Sequence, residues 1–374
     1  LKLRLALLVA ALPLVAAPAL AGPGPAVDAR AYLVQNGVTG EVLLGANERD
    51  RVPIASITKL MTVLVTLERA RLDELVTVGL DAASVGESSI HLRPGEQLTV
   101  RDLVKAALIQ SANDAAYALA SHVGRGSVER FVSLMNERAA KAGLRDTHFA
   151  RPDGLDSEGH YSSARDVTRL ARIAMKLPEV REVVRERTEQ IAGNRTLRTW
   201  NDLLATFPGL IGVKTGHTSQ AGWSEVAAAS TAGVTVYATL LGGPSRGARN
   251  ADLAELLTWG LARYRHVAVV PTSRIYGWAK APYGRRALSL VAPRRIVRIV
   301  RVDRPLVERV VLPTAVSLPV TRGQRLGEVR VYVGKRLVAS SPLVATRTIA
   351  RPGALGRSGW YARRTADRIW GWVS

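Results

Sequence analysis

The chain has 374 residues, 47% of them hydrophobic and 22% charged, enough length and apolar content for two packed domains and too much for a disordered polymer. The absence of cysteine excludes disulfides, thiolate metal sites and a cysteine nucleophile, and the six histidines show no His-x-x-x-His pairing suited to a metal. The net charge of +21 is lopsided: residues up to Tyr264 hold 30 Lys+Arg against 27 Asp+Glu, whereas Arg265 to Ser374 hold 22 against 4. For an exported chain, basicity of that kind points to anionic lipid or anionic wall polymer and away from nucleic acid.

Export is what the start of the chain suggests. Lys2 and Arg4 precede an apolar run from Leu5 to Leu20 that ends in Ala19-Leu20-Ala21 ahead of Gly22-Pro23. That is the pattern of a secretory leader cut after Ala21, so residues 1–21 are set apart from the fold. The run is short for a membrane span and contains Pro13 and Pro18. The expected location is the outer face of the cytoplasmic membrane, the cell wall or the periplasmic space.

Residues 31–45 read as two strands around a tight Asn36-Gly37 turn. Helices are expected from Ser56 to Arg69, from Arg101 to His122 entered at Thr99, and from Ser127 to Ala142 with Gly143 as the stop. A loop from Pro152 to Ser163 leads to a helix from Ala164 to Leu177. Val234 to Leu241 has the β-branched, apolar texture of a buried strand, and Asp252 to Tyr264 returns to helix. Strands at both ends with helices between give an α/β (α+β) domain over 26–264, an antiparallel sheet with a helical cluster. From Val267 short alternating runs broken by Pro and Gly read as a small all-β, sandwich-like domain over 267–349. Residues 354–374 read as an amphipathic helix: Ala362, Ala366, Ile369, Trp370 and Val373 follow helical spacing, with Arg357, Arg364 and Arg368 on other faces.

Ser56-Ile57-Thr58-Lys59 stands at a helix start, where residues three apart share a face and the Ser56 hydroxyl can meet the Lys59 amine. Serine is a poor nucleophile until a base takes its proton, and lysine is such a base only when burial or a neighbouring cation keeps it partly neutral. With 22 serines and 8 lysines the pattern alone is weak. Ser111-Ala112-Asn113 lies between apolar Leu108-Ile109 and Ala115-Ala116, where a polar pair is costly unless hydrogen-bonded. Lys214-Thr215-Gly216 follows the edge-strand pattern Leu210-Ile211-Gly212-Val213, and glycine there lets a substrate backbone approach. Only 8 of the 52 basic residues are Lys, yet Lys stands at both 59 and 214. Arg cannot give up its proton and Lys can, a physical reason for Lys at 59.

The order Ser-x-x-Lys, Ser-x-Asn, Lys-Thr-Gly resembles the penicillin-recognising serine enzymes. Ile109-Gln110-Ser111-Ala112-Asn113-Asp114-Ala115, Arg151-Pro152-Asp153-Gly154, Gly212-Val213-Lys214-Thr215-Gly216-His217-Thr218 and Leu256-Leu257-Thr258-Trp259-Gly260 are similar to low-molecular-mass penicillin-binding proteins, the D-alanyl-D-alanine carboxypeptidases. The resemblance implies that Ser56 forms the acyl-enzyme, Lys59 takes its proton, Ser111 relays a proton to the leaving D-alanine, and Asn113 holds the substrate amide. It implies that Lys214 completes the electrostatic environment, Thr215 and Gly216 bind substrate, and backbone N–H groups of Ser56 and His217 form the oxyanion hole. Arg249, read as a loop residue, would bind the substrate carboxylate. The substrates would be peptidoglycan stem peptides ending in D-Ala-D-Ala, with β-lactams as covalent inhibitors, no cofactor, and an anionic membrane surface bound by the C-terminal helix. The chain departs from the family pattern at Ala112, often Gly, and at Trp200, where an arginine is usual. Two other readings share these motifs: a β-lactamase, which needs a Glu-x-x-x-Asn element where the segment from Asp146 to His160 has Glu158 but no Asn after it at that spacing, and a non-catalytic β-lactam sensor or wall-binding scaffold.

Overall fold

The structure, a computed structural model, describes residues 5–10 and 24–370, with backbone alone at 5–10 and 367–369. They form two compact units, one within Pro23–Ala262 and the other within Arg263–Ser374 together with Leu5–Ala10. Most of the leader assigned to residues 1–21 lies outside the described residues; Leu5–Ala10 pairs antiparallel with Leu306–Pro313.

The first unit is built on a five-stranded antiparallel sheet in the order Val42–Ala46, Ala31–Asn36, Val234–Gly243, Gly222–Thr231, Leu210–Thr218. The terminal segments do share one sheet, and Leu210–Thr218 is its edge strand. Because side chains alternate along a strand, neighbours on Val234–Gly243 serve opposite layers. Thr239 bonds Thr168 of the helix Ala164–Ala174 at 2.6 Å, while Val236 packs beneath Gly260 of the helix Arg246–Ala262. One helix covers one face, and on the other side the helical cluster around Lys59–Leu67, Asn113–Val123 and Val128–Ala142 completes a single core.

The elements differ from expectation in four places. The hairpin does not turn at Asn36-Gly37: the loop runs from 37 to 41, Asn36 Oδ1 accepts from the N–H groups of Val38 and Thr39, and the positive φ falls on Gly40. The nucleophile helix opens with a 3₁₀ turn, Ala55–Thr58, before Lys59–Leu67. The last helix of the unit starts at Arg246, so Arg249 is a helical residue and not a loop one. Most consequential, Arg101–His122 is not one helix. Val100–Lys105 passes into a π-helical turn, Ala106–Gln110, the chain reverses at Ser111 with φ 64°, and a new helix runs from Asn113 to Val123. Wide π turns inside helices recur at functional sites because they turn side chains out of the regular ladder.

That break is held by Asp114, fully buried, whose carboxylate accepts from Ser89 Oγ at 2.6 Å and from the backbone N–H groups of Ile90 and Leu92, each at 3.1 Å. The second unit has a separate apolar core including Val270, Leu288, Leu290, Val329 and Leu343. It is an all-β assembly, a six-stranded sheet and a two-stranded ribbon, followed by the helix Ala354–Trp370. Replacing Asp114 by Ala leaves two buried N–H groups without an acceptor, at a cost of about 2–4 kcal/mol. Urea unfolding of Asp114→Ala should show that loss with an unchanged denaturant slope, and a variant as stable as the parent would remove Asp114 as the anchor of the break.

Candidate active site

Ser56 sits in the 3₁₀ turn, one residue after Ala55, whose φ of 49° is rare for a residue with a side chain. This places Ser56 Oγ 2.7 Å from Lys59 Nζ. Lys59 is fully buried, and its amine also donates to Asn113 Oδ1 and to the Asp153 carbonyl, each at 2.7 Å. Burial lowers the Lys59 pKa to about 8, although the carboxylates of Asp153, Glu87 and Asp114 pull the other way. The Asp153 carbonyl is a ligand of the lysine that the sequence reading passed over; its signal was the Pro152-Asp153-Gly154 turn. Gly154 must be glycine here, with φ 87° and a would-be Cβ 2.0 Å from the Ala55 carbonyl.

The other motifs arrive from two directions. The reversal at Ser111 turns its hydroxyl toward Lys214 Nζ at 2.9 Å, and Lys214 also donates to the Thr215 carbonyl. Lys214 is buried, and burial followed by repulsion from Lys59 holds its pKa well below that of a free lysine. Alternation on the edge strand divides the work. Lys214 lies opposite Val226 and Thr215 opposite Glu225, so Lys214 faces the helical cluster and Thr215 the layer of Arg246–Ala262. Gly216 admits the strand to the nucleophile, since a Cβ there would lie 2.8 Å from the Ile54 carbonyl and 3.1 Å from Ser56 N.

A cleft of about 240 Å³ brings Ser56, Ser111, Asn113, Thr215, Gly216, His217 and Arg249 together, so seven of the nine site residues named from the sequence line it, and Lys59 and Lys214 reach it through Ser56 and Ser111. Lys214 lies behind Ser111. Asn113 is more committed than expected: its Oδ1 is taken by Lys59 and one amide N–H by the Gly86 carbonyl, leaving one hydrogen for a ligand. Glu87, Ser88, Trp223 and Arg246, which no sequence pattern marked, also line the cleft, together with Trp200. Trp200, in place of the usual arginine, donates from Nε1 to the Gln110 carbonyl and lies under the Arg246 guanidinium at 5.3 Å. His160 is structural: Nδ1 accepts from Ala150 N–H, so Nε2 donates to Thr58 Oγ1, and burial lowers its pKa to about 4. A larger groove of about 1000 Å³ is lined by eight Arg and Lys residues, Arg49, Arg138, Lys141, Arg145, Arg165, Arg169, Arg172 and Lys176, and by no motif residue. The near balance of charge before Tyr264 thus conceals a local basic concentration.

The family model described as D-alanyl-D-alanine carboxypeptidase matches residues 18–245. The chain is 30% identical over 339 residues to the D-alanyl-D-alanine carboxypeptidase DacF of Bacillus subtilis, covering 87% of each chain. It is 35% identical over 275 residues to the D-alanyl-D-alanine carboxypeptidase of Streptomyces sp. strain K15, covering 68% of this chain and 94% of that one. Among solved structures, penicillin binding protein 5 of Haemophilus influenzae aligns with a TM-score of 0.65 at 27% identity, over 88% of this chain and all of the other. The agreement of family match, full-length relatives and a shared fold shows that the chain belongs to the D-alanyl-D-alanine carboxypeptidase family and is a serine hydrolase.

Proposed function

We propose that Ser56 is the acylated nucleophile and Lys59 its base in removal of the terminal D-alanine from peptidoglycan stem peptides. The observation that carries this reading is the set of three acceptors around Lys59 Nζ. A neutral amine keeps two N–H groups, which stay on Asn113 Oδ1 and the Asp153 carbonyl, so its lone pair faces the Ser56 hydroxyl. Lys59 then takes the Ser56 proton as Oγ attacks the penultimate D-alanine carbonyl. Backbone N–H groups of Ser56 and His217 receive the oxyanion, a role supported by the close approach of Gly216 to Ser56 N. The proton that Lys59 took is relayed through Ser111, held by Lys214, to the departing amine, which restores the free lysine, and water then releases the acyl group from Ser56. Thr215 and Arg249 take the substrate's terminal carboxylate. β-Lactams acylate the same serine. The distance from Lys59 to Ser56 weighs against the non-catalytic scaffold reading.

The helix Ala354–Trp370 carries the second part of the proposal, attachment to an anionic membrane surface on the outer side of the cell. Leu355, Ala362, Ala366 and Trp370 fall on one helical face and all are exposed, Leu355 at 91% and Trp370 at 75%. Arg357 and Arg364 lie on the opposite side, where Trp360 packs edge-on against Tyr283 at 5.6 Å. No helix among the described residues is long and apolar enough to cross a membrane, so this helix would lie in the interface.

Ser56→Ala should abolish both D-alanine release from a D-Ala-D-Ala peptide and covalent labelling by penicillin; label found on another serine would overturn the assignment. Acylation should rise about tenfold per pH unit up to about 8, where Lys59 becomes the free base, and then level off. Lys59→Arg should lower acylation by roughly a thousandfold, because the guanidinium stays protonated. A flat pH profile, or near-parental acylation by that variant at neutral pH, would rule out Lys59 as the base. For the helix, co-sedimentation with anionic vesicles should fall on truncation after Leu355, and should weaken with salt at about 1 kcal/mol per nearby Arg. Equal sedimentation of both proteins would remove the anchor and leave the catalytic assignment standing.

A further inference from the structure

Glu225 is a carboxylate where the fold calls for an apolar residue. It lies on the strand Gly222–Thr231, on the face whose next positions are Ala227 and Ala229, and opposite Leu240. It is fully buried, and neither carboxylate oxygen receives a hydrogen bond. Its close ionic partner is Arg249, whose Nε lies 3.2 Å from Glu225 Oε2. Arg249 is itself 1% exposed, donates from Nε and Nη2 to Asn250 Oδ1 at 3.1 and 2.6 Å, and reaches the floor of the catalytic cleft.

We propose that Glu225 is a positioning residue that holds the Arg249 guanidinium from behind and competes for its charge with the terminal carboxylate of the substrate. This rests on the assignment of Arg249 to that carboxylate. The guanidinium would stand between the arriving carboxylate and the protein's own anions, Glu225 at 3.2 Å and, at 3.8 Å, Asp202, whose charge is taken up mainly by Arg246. A single buried cation cannot balance both Glu225 and the substrate at full strength, so the arriving carboxylate drives the buried Glu225 toward its protonated form.

The charges around Glu225 set where this happens. Arg249 and Arg246 face it from the helix Arg246–Ala262 and Asp202 from the segment ahead of Leu203, while Lys214 acts on it by charge from the opposite face of the sheet. Arg246 is largely committed to Asp202, which it grips through both Nε and Nη2. Burial raises the Glu225 pKa to about 7, against the pull of Arg249. As pH rises through that value Glu225 becomes ionised and Arg249 more nearly neutralised, so the substrate carboxylate binds less tightly. Below it Glu225 is protonated and the full charge of Arg249 is available.

The test uses the full chain carrying Ser56→Ala, in which binding is read without acylation. Titration calorimetry with a D-Ala-D-Ala peptide in buffers of different ionisation enthalpy runs between pH 5.5 and 7.5, where Lys59 is still mostly protonated and any share it has in the proton balance is common to the parent and the Glu225 variants. If the substrate raises the Glu225 pKa by about one unit, Kd should increase about threefold across this window, with uptake of about half a proton near pH 7.5. Adding Glu225→Gln should abolish the uptake and the slope, and so should Glu225→Leu, which suits the apolar face and needs no buried polar partner. The methyl ester of the peptide should show neither effect with the parent. Uptake and slope that persist in either Glu225 variant would overturn the proposal while Arg249 keeps its role. If Arg249→Leu in the same background binds the peptide as tightly as the parent, the carboxylate assignment of Arg249 falls and takes the competition with it.

Discussion

Two lysines are buried side by side in the first unit, and most of what surrounds them makes that tolerable. An isolated buried ammonium is so costly that a protein must either pair it or let it lose its proton. Here both happen in part. Lys59 is surrounded by a hydroxyl, an amide oxygen and a carbonyl, with carboxylates further out, and still holds its proton less firmly than a lysine in water. Lys214, with fewer partners and Lys59 nearby, is pushed further in the same direction. The expense of burial is thereby turned into basicity at neutral pH, which a serine nucleophile requires.

The backbone is shaped to deliver the acceptors those lysines need. Ala55 and Ser111 both take the left-handed conformation, one just ahead of the nucleophile and the other where the helix breaks. Strain at such positions persists only where the surroundings hold it. Asp114 secures the chain after Ser111, and the Arg151–Asp153 pair, in which both carboxylate oxygens accept from one guanidinium, secures the loop whose carbonyl reaches Lys59. Residues with no direct part in the chemistry therefore decide where its donors and acceptors sit.

Around Arg249 the charges form a chain: Glu225, Arg249, Asp202 and Arg246, with Trp200 beneath the last guanidinium. Family resemblance alone suggests a deficit at Trp200, where an arginine is usual. The fold shows a cation beside that position all the same, supplied by Arg246 from a different element and stacked on the indole ring. A substitution read along the chain is thus a redistribution of charge when read across the cleft.

Much was legible in the sequence because it depends on local pattern. Period-2 and period-3.6 hydrophobicity marked the strands and helices, and the spacing of Ser56 and Lys59 on one helical turn needed no fold to be meaningful. The three motifs, in order, were enough to identify the family. What the sequence could not determine was every feature set by contacts distant along the chain. Helical propensity runs unbroken through Ala106–Gln110, so nothing local announces that the chain reverses at Ser111; the reversal is stabilised by Lys214, about a hundred positions later, and by the loop that Asp114 gathers. The Asp153 carbonyl is a backbone atom and has no side-chain signature. Glu225 is one charged residue among many in the sequence, and only the sheet register, which sets it beneath the helix bearing Arg249, makes it a buried carboxyl behind a cation of the catalytic cleft. Local periodicity decides which elements form, whereas electrostatics in a closed site depends on distances that exist only once those elements have packed.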